Sequence, residues 1–187
     1  AIELNEVPYG IVHNFLYTQS MQTALRELEQ LPDPFLGRIS GMTLKPTGFG
    51  PGHEDPALAW RASKVAGGGC INDTAYHEIY SLQSLMRSPI QYVEARVRTI
   101  RLDLDVDDVA LLLCEHENGA LSTMERSWCA RSPNQHFCEV HTNKGSFWLN
   151  NRKDEPEGYR RSTADGEWQT VGLPSFGLTT HGAYFSE

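Results

Sequence analysis

No run of about 18 consecutive apolar residues occurs in this sequence, so no segment suits a membrane-spanning helix. There is no excess of basic residues: 16 Lys and Arg stand against 24 Asp and Glu, a formal net charge of -8. Phosphate binding needs a cationic footprint, and this balance argues against a nucleic-acid partner. Cysteine is sparse. Cys70, Cys114, Cys129 and Cys138 form no Cys-x-x-Cys pair and no regular spacing, and three of them lie in apolar or strand-like surroundings. A free thiol there behaves as a small hydrophobe, and a reduced cytoplasmic protein is expected rather than a disulfide framework. No Gly-x-Gly-x-x-Gly follows a strand, so nothing in the chain is placed to cradle a pyrophosphate at a helix N-terminus. Internal repeats and low-complexity tracts are absent as well.

What is present reads as one domain of 187 residues, long enough for a hydrophobic core. Ala1 to Pro8 resembles a linker, and His181 to Glu187 the first turn of a helix cut short, so a piece of a longer protein is expected. Gly10 to Phe15 is a short apolar run that suits a buried strand. Thr18 to Leu31 has helical spacing, with Met21, Leu25 and Leu28 on one face and Pro32 and Pro34 as stops. Ile39 to Leu44 is strand-like, and Lys45 to Asp55, rich in Gly and Pro, is a loop. Cys70 to Met86 is helical again, with an apolar stripe through Ile71, Ala75, Ile79, Leu82 and Met86.

Beyond Pro89 the period falls to two. Val93, Ala95 and Val97 alternate with charged residues, the pattern of a half-buried strand. Three hairpins follow, turning at Glu117-Asn118-Gly119, Asn143-Lys144-Gly145 and Ala164-Asp165-Gly166. The fold class expected is α+β, a mainly antiparallel open-faced sheet with the two helices packed on one face. Ala110 to Cys114 and Phe147 to Leu149 are apolar on both faces. Either loops cover the second face or another subunit does.

The stretch with most chemical content is Gly67-Gly-Gly-Cys-Ile-Asn-Asp73-Thr-Ala-Tyr-His77. Residues four apart on a helix share a face, so Asp73 can orient the His77 imidazole and raise its basicity. A histidine titrates near ~6.5 when unperturbed, which suits proton transfer at neutral pH. The glycines allow close approach by a ligand or by another element. On spacing alone a structural pair remains open, since an aspartate near a helix start is favoured by the macrodipole without any function. A metal site is not expected, because no third ligand joins the two.

In order and spacing these segments resemble the C-terminal domain of the Gfo/Idh/MocA oxidoreductases, which include glucose-fructose oxidoreductase and inositol dehydrogenase. The resemblance runs from about Tyr9 to Phe185. It is carried by Trp60-Arg61, by Gly67 to His77, and by the hairpins that hold Glu117-Asn-Gly-Ala120 and Asn143-Lys-Gly-Ser146. It implies an NAD(P)-dependent dehydrogenase acting on a secondary hydroxyl of a sugar, cyclitol or related polyol. It also implies a homo-oligomer formed through the open sheet. The NAD or NADP would be held by an N-terminal Rossmann domain, which this chain lacks together with the final helix, so the chain alone is expected to be inactive. No cofactor-binding residue is assigned within it. His77 would be the acid/base and Asp73 its catalytic companion. Asn14, Trp60, Arg61, Asn72 and His136 are candidate substrate contacts, with His181 and Tyr184 at the cleft rim. Three departures from the family pattern stand out: Ala75 for a glycine, Asn14-Phe15-Leu16 for Asn-x-Arg, and no Glu-Lys-Pro segment. The alternatives are a non-catalytic oligomerisation or carbohydrate-binding module, and a small metal-dependent hydrolase.

Overall fold

The computed structural model describes residues 10–42, 60–130, 136–150, 158–162 and 166–172. The loop expected at Lys45 to Asp55 and the rim residues His181 and Tyr184 lie outside the described residues.

Helix α1 (Gln19–Gln30) starts where Thr18 turns extended and its Oγ1 accepts a hydrogen bond from the Met21 N–H at 3.4 Å. Met21, Ala24, Leu28 and Leu31 are all buried on one stripe, as the spacing requires. Asp33, at φ 60°, reverses the chain directly into β1 (Pro34–Met42). That strand begins five residues earlier than expected, with proline at its first position, where no ladder N–H is needed. The Gly10 to Phe15 run is not a buried strand. Ile11 and Val12 are 78% and 71% exposed, and Asn14–Tyr17 form a 3₁₀ turn. No strand pairs with this segment, so its apolar residues have no sheet to pack on.

The second helical segment is two pieces: a π turn over Ile71–Ala75, then α2 (Tyr76–Met86). Its start is held from outside, since Asp107 Oδ2 accepts from the Ile71 N–H at 2.9 Å and the Asp107 carbonyl from the Cys70 N–H at 2.9 Å. The preceding glycines serve packing against the chain itself. Gly69 donates to the Arg61 carbonyl at 2.9 Å, and a Cβ on Gly68 would run into the carbonyls of Trp60 and Arg61. At its other end α2 closes on Arg87, at φ 52°, whose N–H reaches the carbonyls of Gln83 and Ser84.

The remaining strands are β2 (Ile90–Arg98), β3 (Val109–His116), β4 (Leu121–Ser127), β5 (His136–Thr142), β6 (Gly145–Asn150), β7 (Gly158–Ser162) and β8 (Trp168–Gly172). All three expected hairpins form. The sheet order is β2-β3-β4-β1-β5-β6-β7-β8, antiparallel throughout except for the parallel pair β1 and β4. β2 is an edge strand and is exposed along nearly its whole length, not half-buried, because the helices do not extend over it.

Register explains where the helices sit. Leu112, Met124, Ile39, Cys138 and Leu149 form one row across five strands, and Cys114, Ser122, Gly37, Val140 and Phe147 form another. Leu28 of α1 and Leu82, Leu85 and Met86 of α2 join most of these residues in the main core cluster. Two glycines of β1 make room for α2. A Cβ on Gly37 would meet Met86 Sδ, and one on Gly41 would enter the buried ion pair of Glu78 and Arg126 (2.8 Å; side chains 3% and 4% exposed). A second small core, Cys70, Val106, Ala110 and Trp128, lies beside Asp108, whose carboxylate accepts three backbone N–H groups at 2.8 Å. The opposite side of the sheet carries Leu111 and Leu113, 50% and 49% exposed, and no described helix covers it.

Candidate active site

His77 and Asp73 stand on either side of the junction between the π turn and α2, and both are buried. The sequence spacing suggests that Asp73 orients the imidazole; the structure gives each a different hydrogen-bond partner. Asp73 Oδ1 accepts from Arg61 Nε at 2.6 Å, and Arg61 lies with its guanidinium carbon 5.2 Å from the centre of the Trp60 ring. The Asp73 side chain is 5% exposed, and its Oδ2 has no hydrogen-bond partner among the described residues. Below it, Thr74 Oγ1 ties back to the Cys70 carbonyl at 2.9 Å and accepts from Trp128 Nε1 at 3.1 Å. The π turn is therefore fastened to both cores.

The His77 ring is fixed from three sides. It stacks on Phe15 with centroids 4.1 Å apart and planes 7° from parallel, lies against Tyr76 at 3.9 Å, and stands edge-on to Tyr80. Its Nδ1 is 2.7 Å from the Tyr80 hydroxyl. That hydroxyl accepts from the Phe15 N–H at 3.0 Å and donates to Asn14 Oδ1 at 3.3 Å, and the Tyr80 ring stacks on His13. A cavity beside His77 is walled by Phe15, Met21, Ile39 and Leu149, with Ser81 on its edge.

The sequence candidates thus divide. Asp73, His77, Arg61 and Trp60 gather around the start of the helix. Asn14 also belongs to this group, but it is buried at 4% exposure and bonded to Tyr80. Asn72 is exposed and reaches only its own turn, through the Gly68 carbonyl at 3.4 Å. His136 opens β5 opposite Gly41, away from the Gly67–Gly69 turn in the chain. Tyr80 and Phe15 were not among the candidates. Tyr80 carried a usable signal, since it sits three residues after His77 on the same helix face.

The thiols offer no nucleophile. Burial pushes the Cys70 thiol well above its ordinary value, helped by its hydrogen bond to Asp107, and burial with the Glu139 charge pushes Cys138 up to about 12. Cys114 is raised by burial too, against a lowering hydrogen bond from Ser122. Thiolate is the reactive form, so these three stay inert at neutral pH. Among the described residues no group of three or more His, Cys, Asp or Glu is placed to hold a metal, and no helix is long and apolar enough to cross a membrane.

Solved structures share this fold. Levoglucosan dehydrogenase in complex with NADH and levoglucosan superposes with a TM-score of 0.77 at 21% identity, covering 97% of this chain and 55% of that one. An oxidoreductase from Agrobacterium radiobacter in complex with NAD+, L-tartaric acid and magnesium gives 0.69 at 18%, covering 92% and 48%. An NAD binding oxidoreductase from Klebsiella pneumoniae gives 0.73 at 19%, covering 100% and 52%. The chain therefore spans about half the length of these relatives. No curated protein sequence matches it. The family model for the GFO/IDH/MocA C-terminal domain matches residues 29–148, well over half of the chain. With its open α+β sheet and its structural neighbours, this chain belongs to the GFO/IDH/MocA oxidoreductase family, as a C-terminal domain.

Proposed function

We propose that this domain is the substrate-binding and proton-transferring half of an NAD(P)-dependent dehydrogenase that oxidises a secondary hydroxyl of a sugar, cyclitol or related polyol. The observation that carries the reading is the state of Asp73. One carboxylate oxygen is clamped by Arg61, while the other is buried and without a hydrogen-bond partner among the described residues, one turn before His77. A buried acceptor left in this state is stabilised by a hydroxyl donor. A polyol supplies several. In this reading Asp73 Oδ2 holds one substrate hydroxyl, the His77 ring takes the proton from its neighbour, and the apolar walls of the adjoining cavity meet the carbon skeleton.

The described residues do not fit a dinucleotide. Gly67 to Gly69 are spent on the backbone approach to Trp60 and Arg61, and no other glycine-rich turn leads from a strand into a helix among them. The cofactor, NAD by analogy with the NADH and NAD+ complexes of the neighbours and NADP as the alternative, is assigned to a Rossmann domain outside this chain. Hydride acceptance belongs to that half. The cytoplasm is the compartment proposed, on the reduced state of the four cysteines.

The test uses the full-length protein. Polyols and anhydrosugars are screened for NAD+ and NADP+ reduction, and His77→Ala is then measured on the best substrate. Turnover should fall by about 10²–10⁴-fold, the usual worth of general acid/base catalysis. An unchanged rate would assign the proton to another group. The exposed Leu111 and Leu113 favour a second reading, an oligomerisation module, and a full-length protein inert toward every polyol would move that reading to first place.

A further inference from the structure

We infer that Tyr80 is the residue that positions His77, and that Asn14, acting through the Tyr80 hydroxyl, selects the imidazole tautomer carrying its proton on Nδ1. This rests on the reading of His77 as the proton-transfer group.

The argument is one of counting. A phenolic oxygen has one proton to donate and two lone pairs to accept with. The Phe15 N–H, 3.0 Å away, can only donate and takes one lone pair. The Asn14 Oδ1, 3.3 Å away, can only accept and takes the proton. What remains for His77 Nδ1, at 2.7 Å, is the second lone pair, so the imidazole supplies the proton of that bond. In the neutral ring the other nitrogen, Nε2, then carries the lone pair, which is the form that accepts a proton.

Asp73 is not available for this task, because its bonded oxygen is held by Arg61. The tyrosine does the work expected of a carboxylate, without placing a negative charge beside the ring. Its geometry is well supported. Tyr80 is 7% exposed, its own ring stacks on His13 at 4.3 Å, and the His77 plane is set by the Phe15 stack. Phe15 thus enters twice, through its ring against His77 and through its N–H on the tyrosine oxygen. The Asn14–Tyr17 turn, which the sequence suggested as a strand, is what brings Asn14 and Phe15 to the helix.

The experiment reads the tautomer directly. Full-length protein with ¹⁵N-labelled histidine rings is studied by NMR without substrate, and the His77 ring is identified by its loss in His77→Gln. The expected result is a protonated Nδ1 in the wild type and in Asn14→Asp, which keeps the acceptor. Asn14→Leu frees the phenol proton for Nδ1 and should shift the proton to Nε2. Tyr80→Phe keeps the ring stack and should leave a mixture, with turnover lowered at least about tenfold and KM little changed. Circular dichroism melts of each variant identify any that fail to fold, and the wild-type tautomer is informative without them. A wild-type ring protonated on Nε2, or a tautomer indifferent to both Tyr80→Phe and Asn14→Leu, would overturn the inference. If His77→Ala leaves turnover intact while the tautomer behaves as expected, the catalytic reading fails and the positioning role of Tyr80 stands.

Discussion

Removing the Glu78 carboxylate should destabilise this domain more than any surface change. Glu78 follows His77 on α2, and its Oε1 lies 2.8 Å from Arg126 Nη1 of β4 with both side chains almost wholly buried. Glu78→Ala leaves a guanidinium 4% exposed without that carboxylate, a loss of roughly 3–5 kcal/mol by the general behaviour of buried pairs. A domain's whole stability is about 5–15 kcal/mol, so a third or more of it is at stake. With a urea slope near ~2 kcal/mol per molar, the midpoint should fall by about 1.5–2.5 M. The double replacement Glu78→Leu with Arg126→Met removes both charges and should return within about 1 kcal/mol of the parent, since such a pair does little more than offset its own desolvation. Urea unfolding followed by far-ultraviolet circular dichroism reads all three proteins. A single replacement that loses under about 1 kcal/mol, or a double one as unstable as the single, would refute the claim that the pair is a buried charge balance over Gly41.

Two more outcomes are expected. Cys70, Cys114 and Cys138 keep their protons in the fold beyond the pH at which an ordinary thiol, near 9.0, ionises. The unfolded chain therefore binds fewer protons there, and stability should decline as pH rises from about 9, by up to ~1.4 kcal/mol per pH unit for each thiol. For Cys138 the decline ends near pH 12, and Cys138→Ala should flatten the profile; a urea midpoint constant between pH 8 and 10.5 would contradict it. On the open face, Leu111→Lys with Leu113→Lys in the full-length protein should dissociate an oligomer into monomers on light scattering, whereas an unchanged mass would place the subunit contact elsewhere.

What could be read from the sequence was local. The hairpins at Gly119 and Gly145 are written in two or three turn residues, and α1 in an apolar stripe with its cap, so both follow from short-range chemistry. β1 was only half legible because Pro34, Gly37 and Gly41 all weaken a strand pattern; the reason for the glycines lies in Met86 and Arg126, 45 or more residues away. The alternation of β2 correctly indicated a strand, but its edge position depends on strand order, which no local pattern encodes. At the site, spacing placed Asp73 and His77 together, and tertiary contacts then gave Asp73 to Arg61 and His77 to Tyr80. Tyr80 was passed over because a tyrosine on a helix stripe reads as core. Ile11 and Val12 misled in the opposite direction, apolar residues that the fold leaves exposed.

The place of β1 bears on how the chain assembles. The strands β2 to β4 and β5 to β8 are two runs of neighbours in sequence, each able to zip from its own turns. They meet only through β1, which the chain makes first of all the strands and which pairs with residues 121–127 on one side and 136–142 on the other. Until both have been synthesised this strand has no partner on either edge, and closing those long loops is the slow, entropically unfavourable part of folding. The sheet is thus completed from its middle, around the oldest strand, and the early covering of β1 by α2 through Gly37 and Gly41 would keep it from pairing with a neighbouring chain in the meantime.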